Sequence, residues 1–260
     1  MAAENGSNLI TPAIGGAIFA YFGPLPALVI NALTYLASQI SLAFIPSLGP
    51  DRAVGMPTLR ELFADVKLGY RQVWTDLGMR TQAIAAFVFN LFGFGGYSIL
   101  IPFLKRTFAA SDQQVGIFFG ISAAGAITGA VLAARFPERW PFGRVLVIAY
   151  LLDALIFLPV VFVKSIWAAA FFWAISNALA NFEVAQVIGF RIRVTPEQMV
   201  GRVMGAVRLF VLAGIAPTVL LFGWVADHRT PLDAMFVAAF GFLIVAVAVA
   251  LTPAIRNEAR

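Results

Sequence analysis

Between residues 83 and 251 the chain is divided into six apolar runs: Ala83–Phe103, Val115–Ala134, Val145–Val163, Ile166–Phe190, Val203–Val225 and Ala234–Leu251. At about 1.5 Å of rise per helical residue, each crosses or nearly crosses a hydrocarbon layer about 30 Å thick. That length predicts an all-α polytopic membrane protein. Two earlier runs precede them. Leu9–Tyr21 contains Pro12, Gly15 and Gly16, and its roughly 20 Å falls short of a span. Leu25–Ile45 is long enough. The expected organisation is therefore about eight helices, two plus six: residues 9–45, a linker at 46–82, a six-helix unit at 83–252 and a tail at 253–260.

Only 12% of residues are charged, about half the share usual in a soluble domain. The absence of cysteine excludes a disulfide scaffold and a thiolate metal site. Residues 1–8, MAAENGSN, carry no basic residue and resemble no signal peptide. The net charge of +5 does not point to nucleic acid, because the cations fall in the gaps between apolar runs. Arg52, Arg60, Lys67, Arg71 and Arg80 lie in the linker. Arg135, Arg139 and Arg144, then Arg191, Arg193 and Arg202, occupy two later gaps, and Arg256 and Arg260 the tail. The opposite side holds Lys105, Arg106, Lys164 and Arg229. By the positive-inside rule the richer side, C-terminus included, faces the cytoplasm. The expected location is a bacterial inner membrane.

Within the linker, Leu59, Leu62, Phe63, Val66, Tyr70 and Val73 recur at helical spacing. Thr58 and Glu61 form a capping-box pattern at its start, and the helix is expected at the membrane surface. Three Gly-x-x-x-Gly pairs, 116/120, 125/129 and 201/205, allow close helix approach. Gly93, Gly95 and Gly96, followed by Pro102, predict a helix that bends.

Asp153, Glu183 and Arg208 are the charged residues well inside the late runs. A charge at mid-membrane costs about 2.5–3.5 kcal/mol on insertion scales, which calls for a partner or a wet cavity. Glu183 and Arg208 lie at similar depth from the same end of consecutive antiparallel helices, so an ion pair between them is expected. The competing readings are an Arg208 that snorkels to the interface and other partners, Asp153 included. Ser176, Glu183 and Gln186 share one face of their run, while Asn177 and Asn181 mark another. A helix polar on two sides suits a place between a cavity and a neighbouring helix. Asn90 adds a similar hint, as do Asn31, Tyr35, Ser38 and Gln39. For each asparagine, a satisfied interhelical hydrogen bond is the plainer explanation.

His228 is the single histidine, and no P-loop, G-x-S-x-G or Cys-x-x-Cys appears. An enzyme is not expected, nor is a cofactor or a metal. Without a nucleotide-binding domain, transport would draw on an ion gradient or on that of the substrate.

Three stretches resemble the major facilitator superfamily, in the branch of the enterobactin exporter and related bacterial drug-efflux proteins: TPAIGGAIFAYFGPLPALVINALTYLASQISL, LRELFADVKLGYRQVWTDLGMR and TPEQMVGRVMGAVRLF. They look like the fifth and sixth helices, the connector between halves and the start of the eleventh helix. The resemblance implies helices five to twelve of a twelve-helix fold, with the N-terminal helices as a missing partner. It implies efflux of an amphipathic small molecule, drug-like or siderophore-like, by proton antiport through alternating access, with this chain inactive by itself. The alternative is a non-transporting membrane fragment with a structural or interaction role. Asp153 and Glu183 become the proton-coupling candidates, while Asn90, Asn177, Asn181, Gln186 and Arg208 join the substrate and proton pathway. The family's gating-loop signature places Gly129, Arg135, Gly143 and Arg144 within GAVLAARFPERWPFGR. Ala134 stands where the signature has its acid.

Overall fold

The computed structural model describes residues 24–44, 58–136, 140–256 and 258. The expected first run, residues 46–57 of the linker, and Arg52, Arg139 and Arg260 lie outside them. The described residues are helical without strands. In order, α1 spans Pro24–Ala43, α2 Leu59–Thr75, α3 Leu77–Ser98, α4 Leu100–Phe108, α5 Asp112–Arg135 and α6 Phe142–Phe157. A 3₁₀ turn, Leu158–Val161, prolongs α6. Then come α7 at Ile166–Val194, α8 at Val200–Ala213, α9 at Ile215–His228, α10 at Pro231–Leu251 and the short α11 at Pro253–Arg256.

Five segments are long and apolar enough to cross a bilayer: Leu77–Ser98, Asp112–Arg135, Phe142–Val161, Glu197–His228 and Pro231–Leu251. The 29-residue α7 has the length and is not among them. Its serine, asparagines, glutamate and glutamine lower its hydropathy, and packing inside the bundle makes that polarity tolerable. All six late runs were expected to span or nearly span, and α7 does so by length.

Helix ends follow local chemistry. Thr58 Oγ1 accepts from the Glu61 N–H, and the Glu61 carboxylate accepts from the Thr58 N–H at 2.8 Å. This is the capping box that the spacing predicts. Asp76 starts α3 by accepting from the Met79 N–H at 2.9 Å, six residues before the apolar run begins. Prolines set the breaks. Pro102 removes the N–H that would bond to the Ser98 carbonyl and crowds it, so the chain kinks at Ile99 (φ −102°, ψ 8°). The bend thus falls after the glycine cluster. Gly95 and Gly96 instead admit Phe222 and Ala238 to the helix surface. Pro217 acts likewise on the Ala213 carbonyl and separates α8 from α9 at Gly214, dividing a run expected to be continuous. Thr195, extended before Pro196, terminates α7. Arg191 and Arg193 are therefore helical, and the gap expected to hold them begins later.

Bundle contacts rest on small residues, as helices in lipid require. α5 packs most extensively on α7. A Cβ at Gly125 would stand 2.1 Å from the Ala174 carbonyl oxygen, and one at Gly129 would stand 1.8 Å from that of Ala178. Of the three glycine pairs this one forms an interface. Gly116, Gly120, Gly201 and Gly205 have no neighbour within 4 Å of such an atom. The connector α2 is docked on α8, with Gly69 against the Arg202 carbonyl, Val73 buried and Asp65 paired with Arg202 at 2.6 Å. Leu59 and Phe63 remain exposed on α2, the apolar edge that an interfacial helix keeps. At the opposite end of the chain, the α11 region closes on α3 and α6. Pro141 offers α6 no side-chain cap, and the Gly143 N–H donates to the Glu258 carbonyl at 2.9 Å.

Candidate functional site

A cavity of about 660 Å³ lies among α3, α6, α7, α8 and α10. Rings make up much of its wall. Phe89 packs between Tyr150 and Phe242, with centroids 4.5 and 4.4 Å away, and Phe157 meets Trp173 at 5.3 Å. Into this apolar wall the helices aim a small polar set: Asn90 from α3, Tyr150 and Asp153 from α6, Ser176, Asn177, Glu183 and Arg191 from α7, and Arg208 from α8. An apolar chamber with a few convergent polar groups is the usual form of a small-molecule site.

Asp153 is 1% exposed, and the Ser176 hydroxyl donates to its Oδ1. Glu183, two helical turns beyond Ser176, is also buried, and its Oε1 has no hydrogen-bond partner. A buried carboxyl oxygen without a fixed donor needs a proton, a water or a donor on a guest molecule to satisfy it. At the end of α7, the Arg191 Nε and guanidinium Nη2 donate to Gln82 Oε1 at 3.0 and 2.7 Å, tying α7 to α3. Phe190 and Phe142 stack beside this link at 4.1 Å.

The expected Glu183–Arg208 ion pair is not formed. Both residues line the cavity, but no salt bridge joins them. Equal depth is not enough, because α8 must also pack on α7, and it packs chiefly on α2. Arg208 is exposed and also lines a second groove between α2 and α8. The two polar faces of α7 are also partitioned differently than expected. Asn177 reaches both ways: it lines the cavity and donates to Ser122 Oγ on α5 at 2.8 Å. Asn181 donates to the Asn177 carbonyl at 2.9 Å, and Gln186 to the Ala133 carbonyl at 3.4 Å. Gln186 thus serves the α5 seam and Asn181 stays within α7, while Asn90, besides lining the cavity, bonds to the Ala86 carbonyl of its own helix.

Of the gating-loop candidates, Gly129 lies within α5 against α7, and Gly143 is held by the tail. Arg135 in the last turn of α5 and Arg144 in the first turn of α6 are exposed. Sequence reasoning missed Tyr150 and Arg191 as cavity-side groups, and Gln82 as the partner of Arg191. Arg191 follows the cavity-lining Val187 by four residues and Glu183 by eight, a helical periodicity that ran unseen past the assumed helix end.

A bundle of membrane-length helices around a mostly apolar chamber with buried carboxyls defines a polytopic α-helical membrane protein built on the plan of a transporter. The sequence model of transmembrane secretion effectors, within the major facilitator superfamily, matches residues 4–259. The chain belongs to that family, which gives it a transporter-type role. No curated protein matches the chain significantly.

Proposed function

We propose that this chain contributes to secondary active efflux of an amphipathic small molecule across a bacterial inner membrane, by proton antiport and alternating access, with its C-terminus cytoplasmic. The observation that carries the reading is the pair of buried acids, Asp153 and Glu183, in the wall of one aromatic chamber. The rings suit an apolar guest, and the acids suit protons that load and leave as the chamber is wetted. Asp153 has one donor, Ser176, and is the better-defined proton carrier. Glu183, with an unsatisfied oxygen, is the better contact for a donor on the guest. On the likeness to helices five to twelve, four further helices complete the other wall, and the chain alone inserts without moving protons.

The test uses everted membrane vesicles energised with a proton gradient and challenged with amphipathic fluorescent dyes. Dye should dissipate the gradient only when the N-terminal helices are supplied on a second polypeptide. Asp153→Asn should abolish the response, and Glu183→Gln should weaken it. An undiminished response in the double variant would refute the assignment. A reporter fused beyond Arg260 should be active only on the cytoplasmic side.

A further inference from the structure

A second hollow, of about 850 Å³, is cut between α5, α6 and α7 on the outside of the bundle. Its α7 residues, Phe171, Ala178 and Phe182 among them, stand opposite the cavity residues Trp173, Ala180 and Val184 at about 100° per residue. The hollow therefore faces away from the central chamber. Because it opens between membrane-length helices, it opens to lipid.

The shape is graded. Along α5 it runs from Ile121 to Arg135, about 21 Å at 1.5 Å per residue. One leaflet of the hydrocarbon layer is about 15 Å deep, so the groove matches one acyl chain plus the interface. Its floor is made of small side chains at Ala124, Ala174 and Ala178, the same small-residue surface that lets α5 approach α7. Midway, the Thr128 hydroxyl is spent on the Ala124 carbonyl of its own helix, and at one end alone the lining becomes charged. There Arg135 enters the wall beside Trp140, and Trp140, Phe136 and Phe182 form an aromatic chain with spacings of 6.0 and 5.2 Å. Arg135 is exposed and makes no ion pair with a described residue. A tryptophan and a cation at the edge of an apolar trough are the groups that anchor at a headgroup.

We infer that this groove holds a single anionic phospholipid of the leaflet on the Arg135 side, its phosphate on Arg135 and one acyl chain along α5 towards Ile121. The charge decides the occupant. A second copy of the chain or another apolar helix would fill the trough and leave the guanidinium without a partner, whereas a phosphate satisfies it bidentately. This inference does not depend on the proton-coupling assignment, since neither Asp153 nor Glu183 takes part.

The experiment is native mass spectrometry of the purified chain released from micelles doped with equal phosphatidylglycerol and phosphatidylcholine of identical acyl chains. One retained phosphatidylglycerol per chain is expected. Arg135→Gln should lower the preference for phosphatidylglycerol about fivefold, the weight of one cation near an anionic headgroup, and Arg135→Lys should keep most of it. Ala124→Trp, at an exposed floor position, should remove both lipids by filling the trough. Equal retention of the two lipids, or a preference unchanged in Arg135→Gln, would overturn the proposal. So would a dimer that Ala124→Trp dissociates. Monodisperse elution of each variant separates loss of lipid from loss of fold.

Discussion

On the side of α7 that meets α5, glycine places one main chain against another, and the polar side chains close on near neighbours: Asn177 on Ser122, Asn181 on Asn177 and Gln186 on Ala133. On the cavity side of the same helix, Glu183 keeps an oxygen with no donor, and Arg208 faces the chamber from α8 without an acid to pair with. Both faces are polar for a membrane helix. The first uses polarity to fix a seam, and the second holds it in reserve for something that comes and goes. Polarity in an apolar run therefore does not identify a site. Whether the group is satisfied within the bundle does.

The contrast can be broken most sharply at the seam. Gly129→Leu drives a side chain into the Ala178 carbonyl and should cost about 3 kcal/mol or more, seen as lost monodispersity or a collapsed Tm. Gly120→Ala, in the same helix with no close neighbour, should leave Tm unchanged or raise it through helix propensity worth about 0.5–1 kcal/mol. If both are equally harmful, the glycines serve propensity and not the seam. Next comes the link at the end of α7. Arg191→Met leaves Gln82, already lacking a partner at Nε2, with no bond at either end of its amide, and should cost about 2 kcal/mol. A wild-type Tm would show the link to be dispensable. Ser176→Ala takes the hydroxyl from Asp153 and should cost about 1–2 kcal/mol. That loss should largely vanish in an Asp153→Asn background, whereas a loss that persists in full would place the serine's role elsewhere. Smallest is the coupling between Glu183→Gln and Arg208→Gln. With no ion pair between them, their effects on stability should add to within about 0.5 kcal/mol. A larger interaction energy would mean that the pair forms in another state of the transport cycle.

Much of this was legible in the chain. The long runs gave the class, Thr58 and Glu61 gave the start of α2, and Asp153 and Glu183 marked the chamber because buried charge is rare in such segments. What escaped was azimuth. Spacing says which residues share a face of one helix but not which helix that face meets. The Gly125/Gly129 pair therefore looked no different from the exposed Gly201/Gly205 pair, and a Glu183–Arg208 contact that required α8 against α7 was inferred from depth alone. Arg191 was hidden for another reason. A basic residue near the end of an apolar run reads as a loop, and only Pro196, five residues on, says where the helix stops.

The hydrogen bond from Gly143 to Glu258 has a temporal side. A chain made from its N-terminus presents the first turn of α6 to the membrane well before the residue that caps it exists. Through the synthesis of α7, α8, α9 and α10, the Gly143 N–H must be served by interfacial water, and the gap later filled by the Ile255 carbonyl stays open. The start of α6 thus enters the bilayer before four further helices are made and is finished only after them. Its completion reports that every helix after it has been delivered.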